Sequence, residues 1–150
     1  MNILVSACLL GVSCRYDGAG RLLPQIAALS AYHHLIPFCP EVYGGLGIPR
    51  PPAEMQAGHV VTKDGKDVTA QYEAGAREAL RLAKLFGCTL AVLKERSPAC
   101  GHGSIHDGSF SGALTEGDGV TAALLLQNGI AVIGETQVEA YFRRSSGAAL

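Results

Sequence analysis

No stretch of this 150-residue sequence is apolar for long enough to cross a membrane, although its mean hydropathy is positive, at +0.22. A membrane-spanning helix needs roughly 18 uninterrupted apolar residues. The first residues, MNILVSAC, also lack the charged leader and the longer apolar segment of a secretory signal. We therefore interpret them as a first core strand and expect a cytoplasmic protein.

An excess of positive charge is missing as well. The chain has 12 lysine and arginine residues against 13 aspartate and glutamate residues, and the charges are interspersed rather than clustered. Long nucleic acids are bound through clustered cations. A small molecule is therefore the expected partner, an intact tRNA is less favoured, and no pattern indicates an oligomeric state.

The cysteines do not form an even set that could pair completely into disulfides, because there are five of them. In a cytoplasmic protein such a set favours metal binding or catalysis. Cys8, Cys39 and Cys100 each lie at or just after the carboxyl end of a stretch that is typical of a buried strand. Ligands of open α/β sheets bind beyond those strand ends. The sequence thus predicts three soft ligands around one metal centre, whose identity the thiols leave open.

Short, continuous apolar runs predict four strands that are buried on both faces, over residues 3–7, 35–38, 90–93 and 130–133. Apolar residues at helical spacing predict helices over residues 69–86 and 120–127, which end at Gly87 and at Asn128-Gly129. This order predicts a single three-layer α/β domain with a mostly parallel sheet, Rossmann-like or flavodoxin-like, and right-handed crossovers.

Two smaller features complete the predicted domain. In HVVTKDGKDVT, Asp64-Gly65 is flanked by alternating residues, which predicts a small β-hairpin insertion. The domain is expected to cover residues 1–144, with a tail over residues 145–150.

Three long loops rich in glycine and proline each follow a predicted strand, over residues 9–20, 40–53 and 97–119. Loops of this length usually carry function, and all three belong to the same end of the sheet. Cys88 precedes its strand and should lie at the opposite end as a small buried hydrophobe. Cys14 lies in the first loop, where a packing or supporting role is favoured over that of a fourth ligand or a spare thiol.

The whole pattern resembles one family over roughly residues 1–143. The matching segments are SACLLGVSCRYDG, FCPEVYGGLGIPRPPAE and KERSPACGHGSIHDGSFSG. They resemble a family of small bacterial domains, long described as being of unknown function, that includes the thiouracil desulfidases. The sequence departs from the usual Ser-Pro-Ser-Cys motif at Ala99, which replaces the second serine.

This resemblance implies a [4Fe-4S] cluster held by Cys8, Cys39 and Cys100, with one iron left open, and a catalytic pair formed by Glu41 and Ser97. The sulfur of a thiolated pyrimidine base or nucleoside would bind the open iron, because both are soft. Glu41 would activate water, and Ser97 would donate or relay a proton. The expected products from 2- or 4-thiouracil are uracil and sulfide, without net electron transfer.

Other interpretations stay open at this point. Glu41 could be a solvated loop carboxylate, and Ser97-Pro98 is a common turn initiator. His102 and His106 are candidates for a fourth ligand, a proton shuttle or solvated loop residues, and Asp17 and Arg50 either line the pocket or pin their loops; these four residues share the Gly-rich loops. Cys8, Cys39 and Cys100 with His102 or water could instead hold zinc for ordinary hydrolysis, and a non-enzymatic iron-sulfur or redox sensor is a further alternative.

Overall fold

Strands and helices alternate along the chain, and the computed structural model describes residues 1–147, with side chains as far as residue 145. The strands are β1 (Asn2–Ser6), β2 (His34–Phe38), β3 (Ala53–Gln56), β4 (His59–Thr62), β5 (Leu90–Leu93), β6 (Ser104–His106), β7 (Leu114–Glu116) and β8 (Ala131–Gly134). The helices are α1 (Pro24–Ala27), α2 (Pro40–Tyr43), α3 (Thr69–Leu85), α4 (Val120–Gln127) and α5 (Val138–Gly147).

The central sheet contains the four strands that the apolar runs predict, in the order β2-β1-β5-β8. All neighbouring pairs are parallel, so the carboxyl ends of the strands share one edge. The middle strands are the most completely buried: Ile3, Leu4 and Val5 of β1 are inaccessible, and so are all four residues of β5 to within 1%. Continuous apolar runs are what a sheet covered on both faces requires.

Helices cover both faces of this sheet, which gives the three layers that the sequence predicts. On one face Leu4, Phe38 and Leu93 pack with buried alanines of α3 and with Leu125 of α4. The other face is covered by helix α1 and by helix α5. Its buried residues are Ile3, Val5, Leu9, Ile26, Leu90, Val92 and Val138.

Helix α3 begins at the predicted residue and ends one residue before Phe86, and Gly87 follows with a φ of +65°. Its interior glycine, Gly75, permits a backbone contact: a Cβ there would lie 1.8 Å from the carbonyl oxygen of Pro40. Gly44 meets α3 in the same way, since its Cβ would lie 2.0 Å from the carbonyl oxygen of Gln71. Two glycines therefore let the segment after β2 lie directly against α3.

The small antiparallel sheet contains the predicted hairpin and adds strand β3 to it. Strand β4 pairs with β3 on one side, and on the other side it is bonded to the residues that follow it, where the Val68 N–H donates to the carbonyl of Val60. The Asp64-Gly65 turn forms as predicted, with Gly65 donating its N–H to the carbonyl of Thr62 and Asp67 pairing with Val61. A second two-stranded sheet, β6 with β7, lies inside the third loop and is not predicted from the sequence.

At the C-terminal end, α5 continues to Gly147 and so includes the first part of the predicted tail. Residues 148–150 of that tail lie outside the described residues, and the domain boundary at residue 144 stays a prediction. Within residues 1–147, no helix combines the length and the apolar character needed to span a bilayer.

Candidate active site

A cavity of about 470 Å³ lies at the carboxyl edge of the sheet, where the three long loops meet. Four of the five cysteines line it, namely Cys8, Cys14, Cys39 and Cys100. Glu41 and Ser97 line it too. The predicted convergence of loops that are distant in sequence is therefore confirmed.

Each predicted ligand thiol lies in a tight turn or at a helix start after the carboxyl end of a strand. Cys8 lies in a 3₁₀ turn, Ala7–Leu9, directly after β1, and Cys39 is the N-cap of α2 directly after β2. Cys100 follows β5 by way of a turn that begins at Ser97. All three thiols are free, Cys100 is 5% exposed, and Cys8 and Cys39 are half-buried.

The thiols share one electrostatic environment. Burial raises the pKa of Cys8 to about 11, and the neighbouring charges of Cys39 and Glu41 add to the rise. Burial and the charge of Glu41 also raise the pKa of Cys100, with Cys8 and Cys39 contributing. A multivalent cationic centre is the kind of group that stabilises several thiolates in such a place. Within residues 1–147, no three His, Cys, Asp or Glu side chains have the spacing to hold one single ion.

Cys14 is buried beside the predicted ligands and lines the cavity, at 5% exposed. Burial, and then the charges of Cys39 and Cys8, raise its pKa to about 12. The Cys39 thiol donates to the Cys14 carbonyl oxygen at 3.8 Å, so the Cys14 backbone supports the position of Cys39. Cys88 lies at the opposite end of β5, is buried in the core, and is not part of the cavity lining among the described residues, as the sequence predicts.

Glu41 is not a solvated loop carboxylate, because its side chain is only 16% exposed and forms an ion pair with Arg50. Arg50 is buried further, at 6% exposed, and also donates to the carbonyl oxygens of Gly47 (3.1 Å) and Cys14 (2.9 Å). Burial raises the pKa of the Glu41 carboxyl, while the Arg50 guanidinium acts against the rise. Arg50 thus links the second loop, which contains Glu41 and Gly47, to the first loop, which contains Cys14.

Ser97 does initiate a turn, and the residue also lines the cavity. Its Oγ accepts hydrogen bonds from the backbone N–H groups of Ala99 (3.0 Å) and Cys100 (3.1 Å). With two amides donating to the oxygen, the hydroxyl proton is left to be donated elsewhere. Ala99 itself is 1% exposed and packs in the core, so the departure from the family motif removes no hydroxyl from the cavity lining.

The residues whose roles the sequence leaves open have different surroundings in the structure. His102 bonds to Asp118 (Nδ1 to Oδ1, 2.7 Å), which also accepts from the Gly103 N–H, so the pair pins the third loop outside the cavity lining. Asp17 caps an exposed turn through the N–H of Ala19. His106 lines the cavity, and its buried Nδ1 has no hydrogen-bond partner among the described residues.

Sequence reasoning missed several residues that line the cavity, among them Tyr72, Glu54 and Ser6. Tyr72 of α3 lines the cavity at 4% exposed, and burial followed by the charge of Glu41 raises its pKa. Glu54 of β3 accepts from the backbone N–H groups of Gly108 and Phe110, and thereby holds the third loop to the small sheet. Ser6 ends β1 and contacts Cys100. A buried serine that ends an otherwise apolar strand is the one signal that the sequence offers for them.

Comparison with known proteins gives concordant results. The model of the 2-thiouracil desulfurase family matches residues 3–137. The solved structure of TudS, a [4Fe-4S]-dependent thiouracil desulfidase, resembles this chain with a TM-score of 0.90 and 48% identity over 97% of each chain. YbbK of Bacillus subtilis (strain 168), a protein described as uncharacterized, is 42% identical over an alignment of 146 residues, and the match covers 91% of this chain and 97% of YbbK.

Proposed function

Since this chain belongs to the 2-thiouracil desulfurase family, we propose that it is a [4Fe-4S]-dependent enzyme that removes sulfur from a thiolated uracil. The observation that best supports this proposal is a set of free thiols that line one cavity together with Glu41 and Ser97. Atoms and electrons balance with water as the only co-reactant: the C=S group becomes C=O, and sulfur leaves as hydrogen sulfide.

The donor set fits a cluster. Thiolates are the usual ligands of iron-sulfur clusters, and Cys8, Cys39 and Cys100 are free thiols from three separate loops. When bound, the cluster supplies an iron without a cysteine ligand, which is a soft Lewis acid suited to a thiocarbonyl sulfur. We assign Cys14 the role of supporting Cys39 through its carbonyl oxygen rather than that of a fourth ligand.

Glu41 is the proposed general base. Arg50 contacts its Oε2, so Oε1 is the oxygen that we assign to the attacking water. Burial makes the carboxylate a stronger base, and the guanidinium keeps it ionised and oriented. A base needs this combination of raised pKa and fixed geometry to act near neutral pH.

Ser97 is the proposed proton donor or relay. Its oxygen already accepts from two backbone amides, which polarise the O–H bond and leave its proton to be donated. As the C–S bond breaks, the departing sulfur needs a proton, and the cavity-lining Ser97 hydroxyl can supply it. The proton that Glu41 takes from water replaces the proton that Ser97 donates, so the reaction consumes no net proton.

The proposed substrates are 2-thiouracil, 4-thiouracil and their nucleosides. A cavity of about 470 Å³ has the size of a small-molecule site, and the formal net charge of −1 offers little attraction for a polyanion. Intact tRNA is therefore the less favoured substrate, and the cytoplasm is the proposed compartment.

The test is sulfide release by anaerobically reconstituted protein. Free thiouracils and thiouridines should release sulfide, and thiolated tRNA should release little. Efficient, salt-sensitive action on tRNA with none on the free bases would contradict the substrate proposal. Iron and acid-labile sulfide should be present at about four each per chain, whereas stoichiometric zinc would favour a hydrolase, and a cluster without turnover on any of these substrates would favour a sensor.

A further inference from the structure

Ser6 occupies a position where each hydrogen-bonding group has a defined partner. It is the last residue of β1 and is 3% exposed. Its Oγ lies 2.9 Å from the backbone nitrogen of Lys94 and 3.5 Å from the Sγ of Cys100. Both contacts join β1 to the segment that follows β5, its neighbour in the sheet.

The chemistry of the groups sets the direction of both bonds. A backbone N–H can only donate, so Oγ of Ser6 is the acceptor for Lys94. The single hydroxyl proton is then left for Cys100. Because a buried hydroxyl without a partner is costly, this proton stays directed at the sulfur.

Cys100 is the thiol for which such a donor matters most. It is 5% exposed, whereas Cys8 and Cys39 are half-buried and closer to solvent. Water can therefore contribute less to stabilising charge on the sulfur of Cys100. The Ser6 hydroxyl replaces that solvation with one fixed dipole.

We propose that Ser6 is a positioning residue whose hydroxyl hydrogen-bonds to the Cys100 thiolate and tunes the electron density of the cluster. Hydrogen bonds to ligand sulfurs withdraw charge from an iron-sulfur centre and raise its reduction potential. The bond thereby resists oxidation of the cluster and keeps its open iron electrophilic. This inference rests on the proposed function, since it requires a cluster on Cys100.

The test compares reduction potentials of reconstituted holoprotein. Ser6→Ala should keep its iron while the reduction equilibrium shifts about tenfold toward the oxidised form, which is about −59 mV for a one-electron couple. Thr121→Val is the matched control, because the Thr121 hydroxyl is fully buried and lacks a hydrogen-bond partner among the described residues. Its backbone N–H bonds to the carbonyl of Ala99, the residue before Cys100. The potential of Thr121→Val should equal that of the wild type.

A second pair of variants covers the case in which Ser6→Ala loses its iron. Ser6→Thr and Ser6→Val have the same shape and differ in the hydroxyl, so only the threonine variant should retain the wild-type potential. Equal potentials in that pair, or an equal shift in Thr121→Val, would overturn the inference.

Sulfide release from 2- and 4-thiouracil is measured on the same wild-type sample, so that the two proposals can fail separately. A potential shift in a protein that binds a cluster but releases no sulfide would support the role of Ser6 and contradict the proposed activity. Wild-type protein that binds no iron would overturn both.

Discussion

Cys88 and Cys100 are equally buried, at 5% exposed each, yet they lie at opposite ends of β5. Burial raises the pKa of Cys88, and no charged neighbour among the described residues contributes to the shift. Cys100 is surrounded by Ser6, Glu41 and two further thiols. Burial alone therefore does not distinguish Cys88 from the proposed ligand Cys100. The groups around the sulfur do, and among the described residues they lie together at the carboxyl edge of the parallel sheet.

Alanine substitution of the cysteines tests this contrast most directly and should give the largest effect. Cys8→Ala, Cys39→Ala and Cys100→Ala should each lose most of the bound iron, because three ligands leave none to spare. Cys88→Ala should keep its iron and its activity, with a stability cost of about 1–2 kcal/mol for a small buried side chain. Cys14→Ala should fall between these groups. Iron per chain is the measurement, and a Cys88 variant without iron beside a Cys39 variant that retains it would contradict the assignment.

Two glycines extend the comparison between the two edges of the sheet: Gly75 of α3 packs against Pro40 beside the carboxyl edge, and Gly87 lies at the amino edge. Gly75→Ala gains at most about 1 kcal/mol of helix propensity but places a Cβ 1.8 Å from the carbonyl oxygen of Pro40. The clash should cost about 4 kcal/mol or more and displace the segment that carries Cys39 and Glu41. Chemical denaturation of the metal-free protein measures the cost.

The control for this prediction is Gly87→Ala, at the amino edge. Gly87 has a φ of +65° and nothing within 4 Å of the added Cβ, so only backbone strain of about 1–2 kcal/mol is expected. A similar loss of unfolding free energy in Gly75→Ala and Gly87→Ala would contradict this prediction, because it would show that α2 can move away from α3 at little cost.

The carboxylates near the cavity allow a smaller, catalytic test. Glu41→Gln should lower turnover by about 10²-fold or more, the scale of losing a general base, while iron content stays at the wild-type level. Asp17→Asn is the matched control, because Asp17 caps an exposed turn outside the cavity lining. Wild-type turnover of Glu41→Gln, measured by sulfide release, would return Glu41 to a structural role beside Arg50.

Much of this arrangement is predictable because it follows from strand ends. Apolar runs locate the parallel strands, the carboxyl ends of parallel strands share an edge, and Cys8 and Cys39 directly follow two of those ends. The antiparallel pairing of β6 with β7 is not predictable in this way, since each strand has three residues and shows no periodicity.

The partners of the site residues were harder to predict than their location. Arg50 reaches the Cys14 carbonyl across 36 residues, and Ser6 meets Cys100 across 94. Such contacts depend on how loops return over the sheet edge, which no local pattern specifies. For the same reason His102, a candidate ligand by its position in the chain, turns out to bond to Asp118.

The smallest expected effect concerns that last pair. Despite some burial, hydrogen bonds from the Gly103 N–H and His102 lower the pKa of Asp118. A carboxyl with a lowered folded-state pKa contributes stability that is present above its unfolded pKa of about 3.9 and is lost as the pH falls through the folded value. Because Asp118 is 33% exposed, solvent screening keeps this contribution below about 1 kcal/mol.

Asp118→Asn should therefore lower the free energy of unfolding slightly at pH 7, and the difference from wild type should shrink below about pH 4. Denaturation of both proteins across pH 3–7 measures this window. Iron content should not change, because the pair pins the third loop from outside the cavity lining. Loss of iron in Asp118→Asn, with folding intact, would instead indicate that His102 is part of the metal site. The carboxyl edge would then hold a histidine ligand, which the contrast between Cys88 and Cys100 does not identify.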